Sequence, residues 1–311
     1  MSSGKRLRAP ITVTHRHGEH VGVEACEVQL MSYVYKPDPV AYESRKPYTH
    51  PLRTLGGRQV SAYRPADHRW HKGLQMTSSH LSGQNFWGGH TYVPGDWYQD
   101  LPDRIGSMRH DGFDEFAVGG DRLRMTESLT WVTHGGAEWA REKREIVVHS
   151  VEPEEGAWAI DWSIALTNIR ETPLEFGSPT TAGRELAGYT GLHWRGPRDF
   201  SGGTVLGPGG LGGDEMMGAQ APWLAFVGEH DDVDAHSTVV FAHAPENDDA
   251  IHESHWFVRS KETPAVAISW AFFEEFSLPP GESFSYRYRV VVADGAWDRA
   301  RVTSYLQTHE F

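Results

Sequence analysis

Residues 157–168 read AWAIDWSIALTN, and the alternation in that stretch narrows the choice of fold at once. Trp158, Ile160, Trp162, Ile164 and Leu166 share one face of an extended chain, with Asp161, Ser163 and Thr167 on the other. A period of two sustained this long is the pattern of a half-buried strand. It recurs. DRLRMTESLTWVT puts Leu123, Met125, Glu127, Leu129 and Trp131 on one face, and SFSYRYRVVVADG puts Phe284, Tyr286, Tyr288 and Val290 opposite Ser285, Arg287 and Arg289. EVQLMSYVY, with Val28, Leu30, Tyr33 and Tyr35, is a largely apolar extended run, and WLAFVGE, STVVFAHA and AVAISWAFFEEF read as shorter buried strands. EWAREKREI fits a strand with a charged outer face, and Cys26 in VGVEACEVQL reads as an inert strand residue.

Helical signal is confined to the C-terminus. There Asp294 is placed to cap GAWDRARVTSYLQTH, with Trp297, Val302 and Leu306 on one apolar side. Long strands, glycine-rich loops and one short helix predict an all-β fold: a large two-sheet antiparallel β-sandwich forming a single domain over residues 1–311. The glycine-rich segment Ser201–Gly218 is expected to be a loop within that domain.

The balance of 42 acidic against 29 basic residues gives a net charge of −13, which argues against nucleic acid or an anionic membrane surface as partner. No stretch approaches the ~20 apolar residues of a membrane span, and MSSGKRLRAP lacks the apolar run of a signal peptide. The expected location is therefore cytoplasmic. A single cysteine allows no intramolecular disulfide.

Chemistry concentrates in loops. RPADHRWHKGLQMTSSHLSGQNFWGG carries Asp67, His68, His71, His80, Asn85 and Trp87 without strand or helix periodicity. Just upstream, KPYTHPLRTLGG adds Tyr48, His50 and Arg53. A third segment contributes Thr180, Thr181, Arg184, Glu185, His193, Trp194 and Arg195. A fourth contributes His243, Glu246, Asn247, His252, His255, Trp256 and Arg259. Loops at one end of a sandwich converge, so these four are expected to form one site.

The strings RKPYTHPLRTLGG, RPADHRWHKGLQ, NFWGG, GSPTTAGRELAGYTGLHWRGPR, PEN followed by WFVRS, and RYRVVVADG together resemble the bacterial PmoA-like family, whose members carry the label methane oxygenase PmoA. The resemblance runs from about Tyr48 to Gly295. In the family loop of the form DHPHHRGL, Asp67, His68, His71, Gly73 and Leu74 match, while Arg69 and Trp70 stand in place of a proline and a histidine. The resemblance implies a galactose-mutarotase-like supersandwich whose concave sheet face handles sugars.

The residue types suit that chemistry. Moving a proton on or off a sugar needs an imidazole or carboxylate near its working pKa, held by a neighbour. His68 and His71 are the acid and base candidates, with His50 and Asp67 orienting them. Arg53 and Arg195 can stabilise a developing oxyanion. Tyr48, Asn85, Arg184, Glu246 and Asn247 are candidates to read hydroxyls, and Trp87, Trp194 and Trp256 to stack on a sugar ring. A tryptophan also packs a core, and Asp67 also suits a turn. His50, His68 and His71 are expected within one concave site. The reading is a carbohydrate- or glycoside-processing enzyme of epimerase, lyase or hydrolase type. The alternatives are a non-catalytic carbohydrate-binding protein, or a metal-dependent oxygenase or hydrolase. In the last case His68 and His71 would share a divalent metal with a third ligand from His50, Asp67 or Glu246. No cofactor is firmly implied, and the partner expected is a small sugar or glycoside.

Overall fold

Two eight-stranded sheets face each other in the structure, a computed structural model that describes residues 7–311. The start of the segment weighed as a signal peptide lies outside the described residues. The first sheet runs, in spatial order, Thr12–Arg16, His20–Ala25, Val28–Val34, Tyr48–Leu52, Leu74–Thr77, Gly191–Arg195, Ala265–Ser269 and His255–Arg259. The second runs Thr204–Leu206, Trp223–Glu229, His236–His243, Ser283–Asp294, Ala157–Asn168, Glu138–Glu152, Leu123–Val132 and Ser107–Val118. Neighbours within each sheet pair antiparallel. The all-β, two-sheet sandwich with a short C-terminal helix is the fold that the patterning predicts.

The alternating residues do what the pattern requires. Trp158, Ile160, Trp162, Ile164 and Leu166 enter the layer between the sheets, beside Phe284, Tyr286, Tyr288 and Val290. Glu127 lies in the same inward row as Leu123 and Trp131. It is tolerated there because the Tyr33 hydroxyl donates to it and His110 Nδ1 lies 2.6 Å away. Arg144 and Glu142 form a second buried pair at 2.7 Å.

Two local expectations are corrected. Cys26 is not a strand residue: with Glu27 it forms an exposed two-residue hairpin turn, both at positive φ (51° and 63°). Such turns match the right-handed twist of the strands they join. The helix Arg299–Thr308 is capped by Asp298, whose side chain accepts from the Arg301 N–H, and not by Asp294. Asp294 ends the preceding strand and accepts instead from the Gly56 N–H at 2.9 Å.

The pairing that matters for function is between Leu74–Thr77 and Gly191–Arg195, far apart in sequence but central in the first sheet. Along these strands Leu74, Met76, Leu192 and Trp194 point into the core. Gln75 and His193, opposite each other in register, therefore face outward, as does Ala267 on the next strand.

Candidate functional site

That outward face is covered by loops, and a cavity of about 890 Å³ lies beneath them. Its histidine wall comes from the loop after Tyr63. A bridge between Tyr63 and Lys72 closes the loop at its base. Two successive turns, His68 N–H to Pro65 O and His71 N–H to His68 O, then shape its tip, each at 2.9 Å. His68 and His71 thus sit at opposite ends of one turn, with ring centres 4.7 Å apart. Buried Glu43 anchors the loop: Arg64 donates to it from Nε, shared between both oxygens, and from Nη2, and Lys72 Nζ lies 3.0 Å away. Burial pushes the Glu43 carboxyl upward, but the two cations outweigh that and hold it below its usual range.

His193 adds the third imidazole, its ring 4.7 Å from that of His71. Trp87 packs against both rings, at 5.2 and 4.6 Å. Asn85 holds Trp87 in place, its Oδ1 accepting from the backbone N–H groups of Trp87 and Gly88. Glycine is required at 88 and 89. Both have positive φ, and a Cβ on Gly89 would lie 2.6 Å from the Trp70 ring.

The imidazoles are electrostatically distinct. His68 is partly exposed, and its Nδ1 lies 3.1 Å from Asp67 Oδ2, close enough for an ion pair though poorly aligned for a hydrogen bond. Burial lowers its pKa and Asp67 pulls it back up, for a net fall. Burial pushes Asp67 up, but His68 outweighs this and holds the carboxyl below its usual range. His71 and His193 are buried, and burial holds both well below the ordinary imidazole value. Arg195 stands 3.4 Å from His71 Nδ1 and adds to that depression. Three neutral imidazoles at pH 7 therefore line one wall. His71 Nε2 and both ring nitrogens of His193 have no hydrogen-bond partner among the described residues.

The rest of the lining comes from Tyr98, Arg184, Tyr189 and the Phe257–Thr263 segment, with the Tyr189 ring 4.6 Å from that of Trp87. The Tyr98 and Tyr189 hydroxyls are 2.6 Å apart, and Arg184 donates to Tyr98.

Of the residues singled out in the sequence, Asp67, His68, His71, Trp87 and Arg184 line the cavity. Arg195 is buried behind His71, and Asn85 shapes the loop. The others lie elsewhere. His50 bonds Ser61 Oγ at 2.9 Å and stacks on Tyr63, and Tyr48 packs on the same ring. Arg53 donates to Gln29. Trp194 and Trp256 are core residues whose indole N–H groups reach the Val60 and Ala221 carbonyls. Glu246 and Asn247 hold Arg287 on the second sheet. The four loops therefore do not all converge; of the fourth, only the end containing Arg259 reaches the cavity.

Trp70, Tyr98 and Tyr189 are cavity residues that the sequence does not single out as site candidates, while His193 and Arg259 are named in their segments without an assigned role. Strand parity was the available signal for His193: in GLHWR it must lie on the face opposite Trp194, so only one of the two can belong to the core. No group of three His, Cys, Asp or Glu side chains among the described residues is arranged to hold a metal ion, and no helix among them is long and apolar enough to cross a membrane.

Several solved structures are similar to the chain. An α-galactosidase from Geobacillus stearothermophilus, in complex with raffinose, is 14% identical with a TM-score of 0.37; the alignment covers 94% of this chain and 40% of that one. An α-galactosidase from Lactobacillus brevis is 8% identical, TM-score 0.41, with coverages of 92% and 40%. The chain thus spans about 40% of the length of these two enzymes. A galactose 1-epimerase from Lactobacillus acidophilus is 8% identical, TM-score 0.40, with coverages of 93% and 100%. No curated protein sequence matches. The family model that does match carries a different label from the PmoA-like one suggested by the motifs: residues 20–307 fit DUF6807, described as a family of unknown function, and the chain belongs to that family.

Proposed function

We propose that the protein is a carbohydrate-processing enzyme that works by general acid–base chemistry in the cavity on the outer face of the first sheet. The observation that carries this reading is the pairing of Asp67 with a partly exposed His68, beside two buried imidazoles of which three ring nitrogens, His71 Nε2 and both of His193, have no hydrogen-bond partner among the described residues. A buried polar nitrogen left unpaired costs on the order of 1–3 kcal/mol, so such groups call for a ligand rich in hydrogen-bonding groups. A polyhydroxyl sugar supplies them, and Trp87 and Trp70 supply apolar ring surface.

The protonation states assign roles. With Nδ1 turned toward Asp67, His68 offers Nε2 as the basic atom, and a lowered pKa keeps that atom free of a proton at neutral pH. Asp67 fixes the tautomer and stabilises the imidazolium once the proton has moved, and it is held in turn by Arg198 at 3.1 Å. Tight alignment of the Asp67–His68 contact is expected only with substrate in place. His71 and His193, too depressed to hold a proton, act as neutral hydrogen-bonding groups that position the sugar. The whole operates within one sandwich domain.

The test is a substrate screen with aldoses and oligosaccharides, followed by His68→Ala. Turnover should fall by about 10²–10⁴ while binding changes far less. A variant that retains wild-type turnover would remove His68 from the chemistry. A protein that binds sugars but turns none over would be a binding protein using the same cavity.

A further inference from the structure

The charged side chains that line the cavity are Asp67, Arg184, Asp214, Arg259, Lys261 and Glu262. Asp67 is engaged by Arg198 and His68, and Lys261 pairs with Asp214 at 3.0 Å. Arg184 and Arg259 form no ion pair among the described residues. Arg184 donates to the Tyr98 hydroxyl and lies over the Trp97 and Tyr98 rings, at 5.1 and 4.8 Å. Arg259 donates to the Leu186 carbonyl at 3.0 Å and lies 5.3 Å from the Phe257 ring centre. The two guanidiniums are thus held from below by aromatic faces and anchored on the same short segment, 184–186. Each carries five N–H donors, and only one is committed to a named acceptor.

Both line one cavity and both are tied to segment 184–186; burial lowers the Arg259 pKa and the Arg184 charge lowers it further, with Tyr98 and Asp214 acting the other way. Two like charges held together on one wall are unfavourable unless an anion joins them. Resting on the carbohydrate reading above, we propose that the cavity takes an acidic sugar, a uronic acid unit whose carboxylate bridges Arg184 and Arg259.

Charge and shape select that anion. With Asp67 and Asp214 already paired, the two unpaired guanidiniums and Glu262 leave one net positive charge, which a single carboxylate matches and a phosphate dianion exceeds. A planar carboxylate fits the guanidinium fork with two parallel hydrogen bonds, which a tetrahedral sulfate ester does less well. The arrangement also divides the cavity by role. The arginine wall fixes the carboxylate end of the sugar, and the imidazole wall faces the ring carbons and hydroxyls.

The experiment is calorimetric titration of the full chain with matched oligosaccharides: galacturonate, glucuronate and mannuronate oligomers, their methyl esters, neutral galactan fragments, and sulfated galactan fragments. At least one uronate oligomer should bind tenfold or more tighter than its own methyl ester, and its affinity should fall as salt is raised. Arg259→Gln and Arg184→Gln should each cost that oligomer about tenfold to a hundredfold while costing its methyl ester much less. An unchanged melting transition in each variant would show that the fold is kept, and with two variants the failure of one to fold leaves the other to decide. Equal binding of acid and ester, or preference for neutral or sulfated fragments, would overturn the acidic-sugar inference while the carbohydrate reading stands. Absence of binding by every oligosaccharide would overturn both.

Discussion

Both sheets have an outer face carrying buried ionisable side chains, but only one of them satisfies its charges. On the second sheet, Asp161 receives two hydrogen bonds from Arg289, at 2.6 and 2.9 Å, and a third from Arg287 at 3.2 Å, with His149 Nε2 3.2 Å away. Arg289 also donates to the His309 carbonyl at the end of the C-terminal helix. Beside this network the face is small and apolar. Ala157, Ala159, Ala225, Ala242 and Ala293 let the helix settle close, with Trp297, Val302 and Tyr305 filling the gap. On the first sheet the corresponding place holds His193 and His71, large and polar, with three of their four ring nitrogens unmatched among the described residues. Loops arch over them and leave a cavity. Small residues under a helix, with the buried carboxylate and guanidinium paired, make a structural face; large imidazoles under loops, with ring nitrogens unpaired, make a face that awaits a ligand.

The sharpest way to break this contrast is to strip a charge from the satisfied face. Asp161→Ala should destabilise the fold by about 3–5 kcal/mol, because it strands Arg289 in a buried position without its counter-ion. Burial pushes the Asp161 carboxyl up, but its Arg289 and His149 partners outweigh that and hold it far below the usual range, as expected for a site that depends on the ionised form. Chemical denaturation measures the loss. Turnover per folded molecule should not change, and a turnover defect would mean that the two faces are coupled.

A matched pair of tryptophans sharpens the comparison further. Trp297 is 2% exposed under the helix, whereas Trp97 is 61% exposed at the cavity rim. Trp297→Ala should cost about 3–5 kcal/mol and Trp97→Ala within about 0.5 kcal/mol. Thermal melts of the two variants would decide. A large loss on removing Trp97 would show that the rim belongs to the folding core.

Acid should act first on the buried histidines, His243 of the second sheet among them. Burial lowers the pKa of His50 to about 4 and pushes His71 and His193 well down. Unfolding restores each to about 6.5, so below that pH the unfolded chain binds more protons than the folded one. The stability these groups protect is complete above pH 6.5 and is lost as pH falls toward 4, at up to about 1.4 kcal/mol per pH unit for each group. Denaturant midpoints that stay level from pH 6.5 to 4.5 would contradict neutral burial.

How much of this was legible beforehand follows from what each feature depends on. Strand alternation is local, so Trp158 to Leu166 announced both the strand and its buried face. Glu127 was legible by position but not by partner, since Tyr33 comes from the other sheet. The loop from Arg64 to His71 was legible because ionisable residues cluster there. The rest of the cavity depended on spatial order. Tyr98 and Arg259 reach it through a hairpin and a distant strand, and no local pattern says that Leu74–Thr77 pairs with Gly191–Arg195. Trp194 and Trp256 were considered for stacking because a sequence shows that an aromatic is present, not which face of its strand it occupies. Glu246 and Asn247 had the right chemistry for a sugar, but Arg287 uses it, its guanidinium donating to Glu246 and its backbone pairing with Asn247.

The smallest expected effect on stability is the most informative. His193→Leu exchanges a fully buried imidazole for an apolar side chain of similar size. If the cavity face carries unmatched polar atoms for the sake of a ligand, this change removes a desolvation cost and loses no protein hydrogen bond, because His193 makes none among the described residues. Stability should stay level or rise by about 1 kcal/mol. The acid-induced loss should also become shallower by one proton. Sugar binding should weaken at the same time, so stability and function move in opposite directions, as they do where a fold has been compromised to build a site. A loss of more than about 2 kcal/mol would mean instead that His193 is an ordinary core residue. The imidazole wall would then resemble the Asp161 face, and the distinction between the two sheets would fail at its centre.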